Sequence, residues 1–146
     1  MWDNNKWSCN FIKTQQNWIS VNLESKDNGN EVKIYNIYSP NHYREKEVCW
    51  NTLEADLEEN HDNNLILAGD LNLVMHSNEK RGGNFSADPF RNRLEHIMQE
   101  KDLVDIKPKN RRYTWSNRRL GAGNIMENLD HFLINIAFLS SFSNCQ

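Results

Sequence analysis

Leu65-Ile66-Leu67-Ala68-Gly69-Asp70-Leu71-Asn72 is the stretch on which the fold turns. Four consecutive apolar residues closed by a glycine fit a short strand covered on both faces, the kind found inside a parallel sheet. A carboxylate follows at once, and a carboxamide two residues later, where alternation would point both to one side. Open α/β sheets bind ligands in the crevice outside the carboxyl ends of their strands, so Asp70 and Asn72 occupy a candidate site. A carboxylate there can orient a water or help hold a divalent cation, and an amide beside it can bond that water or a phosphate. The same four residues also make an ordinary Gly-Asp-x-Asn turn that closes a strand.

Upstream, Ile19, Val21 and Leu23 alternate, and Asp27-Asn28-Gly29-Asn30 separates them from a second run, Glu31 to Tyr38. The pattern predicts a hairpin of antiparallel strands. That second run ends in Asn36-Ile37-Tyr38-Ser39-Pro40-Asn41. Asn36 and Tyr38 share a face, and the phenol can donate to a phosphate oxygen or simply pack against the turn that follows. Trp50, Leu53 and Leu57 then recur at helical spacing in an acidic surround, which predicts a helix over Tyr43–Glu59 with Asn41 as its cap.

Downstream, Asp88-Pro89 precedes Phe90, Leu94, Ile97 and Met98, an acidic cap with proline at the first position of a helix running to about Lys101. Residues 103–106, 113–115 and 129–134 read as short strands, the last two facing each other across a loop with Gly121 and Gly123. The order of elements is mixed α/β. Asp130 lies on a strand flanked by Leu129, Phe132 and Leu133, where an ionised carboxylate is costly unless paired. His131 points to the opposite face of a regular strand and makes a poor partner for it.

The 146 residues suit one domain, 1–146, without repeat or linker. With 38% hydrophobic and 25% charged residues the core should be thin, yet the composition is not that of a disordered chain. A net charge of -3 excludes a uniformly basic nucleic-acid coat, so a phosphate-facing surface has to be local. Residues 45–62 are mainly acidic. In contrast, 107–119 carry Lys107, Lys109, Arg111, Arg112, Arg118 and Arg119 with no acid: either two solvated faces or a loop that meets a polyanion. Cys9, Cys49 and Cys145 lack zinc-site spacing and read as reduced thiols of an intracellular protein. No apolar run is long enough for a membrane span, and the first residues carry no signal-like core.

Asn-x-Tyr-x-Pro-Asn, Gly-Asp-Leu-Asn, Tyr-Thr-Trp-Ser and Leu-Asp-x-Phe-Leu, in that order, resemble the endonuclease/exonuclease/phosphatase superfamily, which includes apurinic-site repair endonucleases and pancreatic-type DNases. The chain is more closely similar to the endonuclease region of plant LINE-type retroelements. That likeness rests on Tyr38-Ser39-Pro40-Asn41, Gly69-Asp70-Leu71-Asn72, Glu79-Lys80-Arg81-Gly82-Gly83, Tyr113-Thr114-Trp115-Ser116-Asn117 and Leu129-Asp130-His131-Phe132-Leu133.

The resemblance implies a four-layer α/β/β/α sandwich, DNase-like and truncated at both termini, with its site at one rim. It implies hydrolysis of a DNA phosphodiester by an in-line water, with Mg²⁺ or Mn²⁺ stabilising the charge. Asp70 would activate the water, Asn72 would orient it and the phosphate, and Tyr38 would contact the phosphate or its metal. Asn41 would sit near the phosphate, and Asp130 would orient a catalytic histidine. The loop after Trp115, with Arg118 and Arg119, is similar in place to the family's groove-entering hairpin; arginines on an exposed loop can equally be incidental. The family's early Asn and metal-ligating Glu, and its Ser-Asp-His segment, have no counterpart here, so no metal ligand is assigned. Negligible nuclease activity is expected of this polypeptide alone. An intracellular place, the nucleus included, agrees with the resemblance. Two alternatives stay open: a non-catalytic retroelement remnant, and a phosphatase or phosphodiesterase of the same superfamily.

Overall fold

The computed structural model describes residues 3–59, 64–109 and 113–141. A hairpin of β1 (Trp7–Thr14) and β2 (Trp18–Ser25) is extended by β3 (Glu31–Tyr38). After α1 (Tyr43–Glu59) comes β4 (Leu65–Asp70), then a short β5 (Lys80–Arg81), α2 (Arg91–Glu100) and β6 (Leu103–Asp105). The chain continues through β7 (Trp115–Ser116), β8 (Met126–Glu127), β9 (Asp130–Asn135) and α3 (Ile136–Ser141). Six strands form one sheet in the order β1-β2-β3-β4-β9-β6, and β5-β8-β7 form a second, smaller one. The expected mixed α/β architecture is present.

Helices α1 and α2 cover one face of the large sheet. Trp50, Leu53 and Leu57 of α1 and Leu94 and Ile97 of α2 join Tyr35, Ile37, Leu67 and Leu133 in the main core. Each such side chain contributes about 1.5–3 kcal/mol on burial. The opposite face carries a smaller cluster of Val32, Ile66 and Ile134, with Trp7, Ile34 and Phe138 packed against it. Leu65, Ile66 and Leu67 are all at least 92% buried, because β4 has apolar matter on both sides.

The predicted hairpin forms as β2 and β3, with Gly29 at φ +70° in its turn. Helix α1 has the predicted span, but its first carbonyl is that of His42, which accepts from Lys46 N at 2.8 Å; the cap falls one residue past Asn41. Asp88 Oδ1 accepts from Phe90 N at 2.8 Å as an acidic residue ahead of α2 should, but the helix begins at Arg91 with Phe90 as its N-cap, so Pro89 precedes the helix and is not its first residue.

The predicted pairing of residues 113–115 with 129–134 is wrong. Strand β7 pairs with β8 instead, and β9 runs antiparallel between β4 and β6 in the large sheet. Leu133 and Ile134 project to opposite faces and both need burial, which an inner strand provides and a surface hairpin does not. Strand β1, a partly exposed edge with weak apolar contrast, is absent from the sequence reading. Among the described residues no helix is long and apolar enough to cross a membrane. Arg111, Arg112 and Cys145 lie outside the described residues, while Cys9 and Cys49 are free thiols.

Candidate functional site at the strand ends

Parallel β3 and β4 finish at the same edge of the sheet, and antiparallel β9 begins there. The register sets Tyr38 opposite Asp70 and Asp70 opposite Asp130. Cross-strand partners point to one face, so a phenol and two carboxylates stand in a row at this rim. It is the face turned away from α1 and α2, because Tyr38, Asp70 and Asp130 share alternation with Ile34, Ile66 and Ile134. Backbone bonds carry the strands past their ends: Ser39 N donates to Asp70 O at 2.8 Å, and Leu71 N to Leu129 O at 2.9 Å.

Tyr38 is 68% exposed, Asp130 is exposed and Asp70 is half-buried. Burial pushes the Asp70 carboxyl above its ordinary range, and the neighbouring Asp130 charge adds to the shift; the Asn72 N–H, His131 and Lys46 act against it. An acid that holds its proton more firmly is a better proton acceptor once ionised, which suits a group that activates water.

Asn72 does not continue the pleat. Its φ is +47°, a left-handed turn that asparagine tolerates better than most residues. Its N–H donates to Asp70 Oδ1 at 2.9 Å, and its side-chain amide donates to the Ser39 carbonyl. The expected alternation of Asp70 and Asn72 is therefore replaced by a tight turn tying both residues to the end of β3. The Asn72 carbonyl in turn accepts from the buried Lys46 ammonium at 2.8 Å.

Asp130 departs from expectation in being solvated and so needing no buried partner. The buried acid–imidazole pair is formed by other residues. His131, on the helix side of β9, bonds Asp105 Oδ2 through Nδ1 at 2.8 Å and the Leu73 carbonyl through Nε2 at 2.9 Å. Among the described residues no histidine is bonded to Asp130.

Glu79, Asp105 and His131 bring one metal-ligand-type atom each within 4.8 Å of one another, the one such group among the described residues. All of their ligand-type atoms except the buried Asp105 Oδ1 are already engaged. The Lys107 ammonium bonds both Glu79 Oε1 and Asp105 Oδ2. Glu79 Oε2 accepts from Met75 N at 2.7 Å and His76 N at 3.1 Å. A lysine thus stands where a cation would stand, and this cluster does not fit a divalent ion. The strand-end row fits better. Asp70 and Asp130 lie close enough for one to lift the other's pKa, and two carboxylates are what a hydrated Mg²⁺ draws from a protein when a phosphate completes its shell.

Trp115 and Arg118 lie on the β7–β8 hairpin, where Tyr113, Thr114, Trp115, Ser116, Arg118 and Met126 line a groove of about 510 Å³. Thr114 joins this groove to the row, its Oγ1 accepting from Leu129 N at 3.0 Å and Asp130 N at 3.2 Å. Arg118 sits at φ +55°, and it and Arg119 are exposed. Asn41 is exposed in the β3–α1 loop. Of the other candidate cations, Lys80 is paired with Glu127 at 2.7 Å and the exposed Lys107 with Glu79 and Asp105. Sequence reasoning missed Lys46, Asp105 and the role of Thr114. Thr114 falls within a recognised motif, while an acidic residue in a strand and a lysine in a helix carry no local signal.

A cleft of about 480 Å³ between α1 and α2 lies in the helical layer, with Arg93 on its wall bonded to Glu54, and shares no residue with the row.

No family model and no curated protein matches the chain. Solved structures do. The chain is similar to an endonuclease/exonuclease/phosphatase family protein from Bacteroides thetaiotaomicron (TM-score 0.59, 10% identity, 91% of this chain on 53% of that one). It is similar to the 3′ phosphatase NExo from Neisseria bound to a product DNA hairpin (TM-score 0.64, 15% identity, 92% on 61%). It is also similar to D. rerio TDP2 complexed with a single-strand DNA product (TM-score 0.55, 13% identity, 90% on 54%). The chain has the fold of these proteins and spans between 53% and 61% of their length.

Proposed function

We propose that this chain is part of a divalent-metal-dependent phosphodiester hydrolase that cuts DNA, working where β3, β4 and β9 end. The observation that carries the proposal is the register of Tyr38, Asp70 and Asp130 in one row. Asp70 aligns a water and takes its proton, helped by surroundings that raise its affinity for that proton. The Asn72 side chain, fixed by Ser39, orients that water and the phosphate, and the exposed Tyr38 hydroxyl meets a phosphate oxygen. Asp130 is the second carboxylate of the row, available to a cation or to an imidazole. A bound Mg²⁺ or Mn²⁺ would offset charge on the phosphate and the leaving oxygen. Trp115 offers a ring for a base to stack on, and Arg118 and Arg119 offer charge for the backbone. The motif set favours a LINE-type retroelement endonuclease as the finer assignment.

One observation favours a second reading, a non-catalytic remnant that keeps the fold: the buried imidazole of His131 is committed to Asp105 and Leu73, away from the row. Supercoiled plasmid, incubated with the longest polypeptide the gene encodes, separates the two. The hydrolase reading expects nicking with Mg²⁺ or Mn²⁺ that stops with EDTA and is lost in Asp70→Asn. Intact plasmid under both metals would leave the remnant.

A further inference from the structure

We propose that Lys46 is the positioning residue of this site: its buried ammonium holds the Asn72 carbonyl and thereby the left-handed turn that keeps Asn72 beside Asp70. The lysine is 3% exposed, in the first turns of α1. Its Nζ donates to Asn72 O at 2.8 Å and to Asp88 Oδ2 at 2.6 Å, and it lies 5.3 Å from the centroid of the Phe90 ring. A charge taken out of water persists only where acceptors replace its hydration, so these partners are strongly held. One of them is the backbone of a residue at φ +47°, a conformation that costs free energy for any residue except glycine. The Asn72 N–H and side chain fix the other side of the turn, on Asp70 and Ser39. Lys46 supplies the bond from beneath, and through Asp88 it couples the turn to the start of α2.

For its catalytic consequence the inference rests on the hydrolase reading; the geometry does not. The experiment is therefore spectroscopic, on the full chain labelled with ¹⁵N and ¹³C. In Lys46→Met the Asn72 Cα and Cβ shifts should leave their left-handed values. Its side-chain amide protons should exchange roughly tenfold faster or more, as loss of a bond worth about 1.4 kcal/mol implies. Lys46→Arg, which keeps the charge and several N–H donors, should restore both signals. Asp88→Ala removes the ion pair with Lys46 and the bond from Phe90 N but not the bond to the Asn72 carbonyl, so it should leave these signals in place. Unchanged Asn72 signals in a folded Lys46→Met chain, or the same disturbance in Asp88→Ala, would overturn the assignment. If Lys46→Met does not fold, the wild-type ammonium decides: a slowly exchanging Lys46 ammonium with a through-hydrogen-bond coupling from Nζ to the Asn72 carbonyl carbon is expected, and its absence refutes the contact. Failure of plasmid nicking bears on the hydrolase reading and leaves these signals untouched.

Discussion

Replacing Gly69 by alanine tests the packing that brings Asp70 to its place. Gly69 has φ +128°, and a Cβ there would lie 2.1 Å from the Ile37 carbonyl oxygen and 2.9 Å from Ile37 N. Both are backbone atoms of the adjoining strand and cannot swing aside as a side chain would. The conformation alone costs a non-glycine residue about 1–3 kcal/mol. Overpacking adds about 1–3 kcal/mol, at the upper end where the obstacle is backbone. The expected loss is about 3–6 kcal/mol, a large share of a total that is about 5–15 kcal/mol for a domain. With a urea slope of about 1–3 kcal/mol per molar, the midpoint should fall by about 1 M or more, followed by the fluorescence of the buried Trp18 and Trp50. Gly29→Ala is the control, because Gly29 has φ +70° with nothing within 4 Å and should lose only the conformational part. Relief of the overlap would also push β4 from β3, parting Asp70 from Tyr38. Equal midpoints for the two variants would refute the claim that close approach of β3, and not backbone conformation alone, requires glycine at 69.

Three further outcomes follow from the charges. Asp105 and Glu79 sit below their ordinary values of 3.8 and 4.5: burial opposes their ionisation, but bonds from His131 and Lys107 to Asp105, and from Lys107 and His76 to Glu79, outweigh it. A group with a depressed folded pKa stabilises above its unfolded value and loses that contribution as pH falls through the folded one, so urea midpoints should drop below about pH 4. Asp105→Asn with Glu79→Gln should flatten that acid branch, and an unaltered branch would count against the cluster. Asp70 carries the opposite sign: its raised pKa means the folded state resists the ionised form, so Asp70→Asn should raise the melting temperature at neutral pH and gain less in acid. A lower melting temperature at neutral pH would contradict it. Arg118→Ala should weaken DNA binding evenly across sequences and reduce the salt dependence of binding by about one counterion, measured by fluorescence anisotropy over a salt series. An unchanged slope would remove Arg118 from the interface.

Local rules made much of the chain legible beforehand. Alternation in Ile19, Val21 and Leu23 with a glycine turn marked the β2–β3 hairpin, helical spacing of Trp50, Leu53 and Leu57 marked α1, and Asp88-Pro89 marked the start of α2. These signals depend on neighbours within one element, where pleat and helical period translate directly into position. Strand partnership is a different matter. Nothing near Leu133 states that β9 will lie between β4 and β6, since that choice is made by which apolar faces can be buried together.

The sequence by itself determined that a carboxylate and an amide would follow a doubly buried strand, and that Tyr38 would end another, because each depends only on the order of residues along a strand. Alternation along the strand also kept His131 from Asp130, but the tertiary structure alone decided that Tyr38, Asp70 and Asp130 share a row, that Asn72 turns left-handed onto Ser39, and that the partner of His131 is Asp105. Hydrogen-bond and charge partners are set by distance in space, and Lys46 reaches Asn72 across 26 residues that carry no record of the meeting.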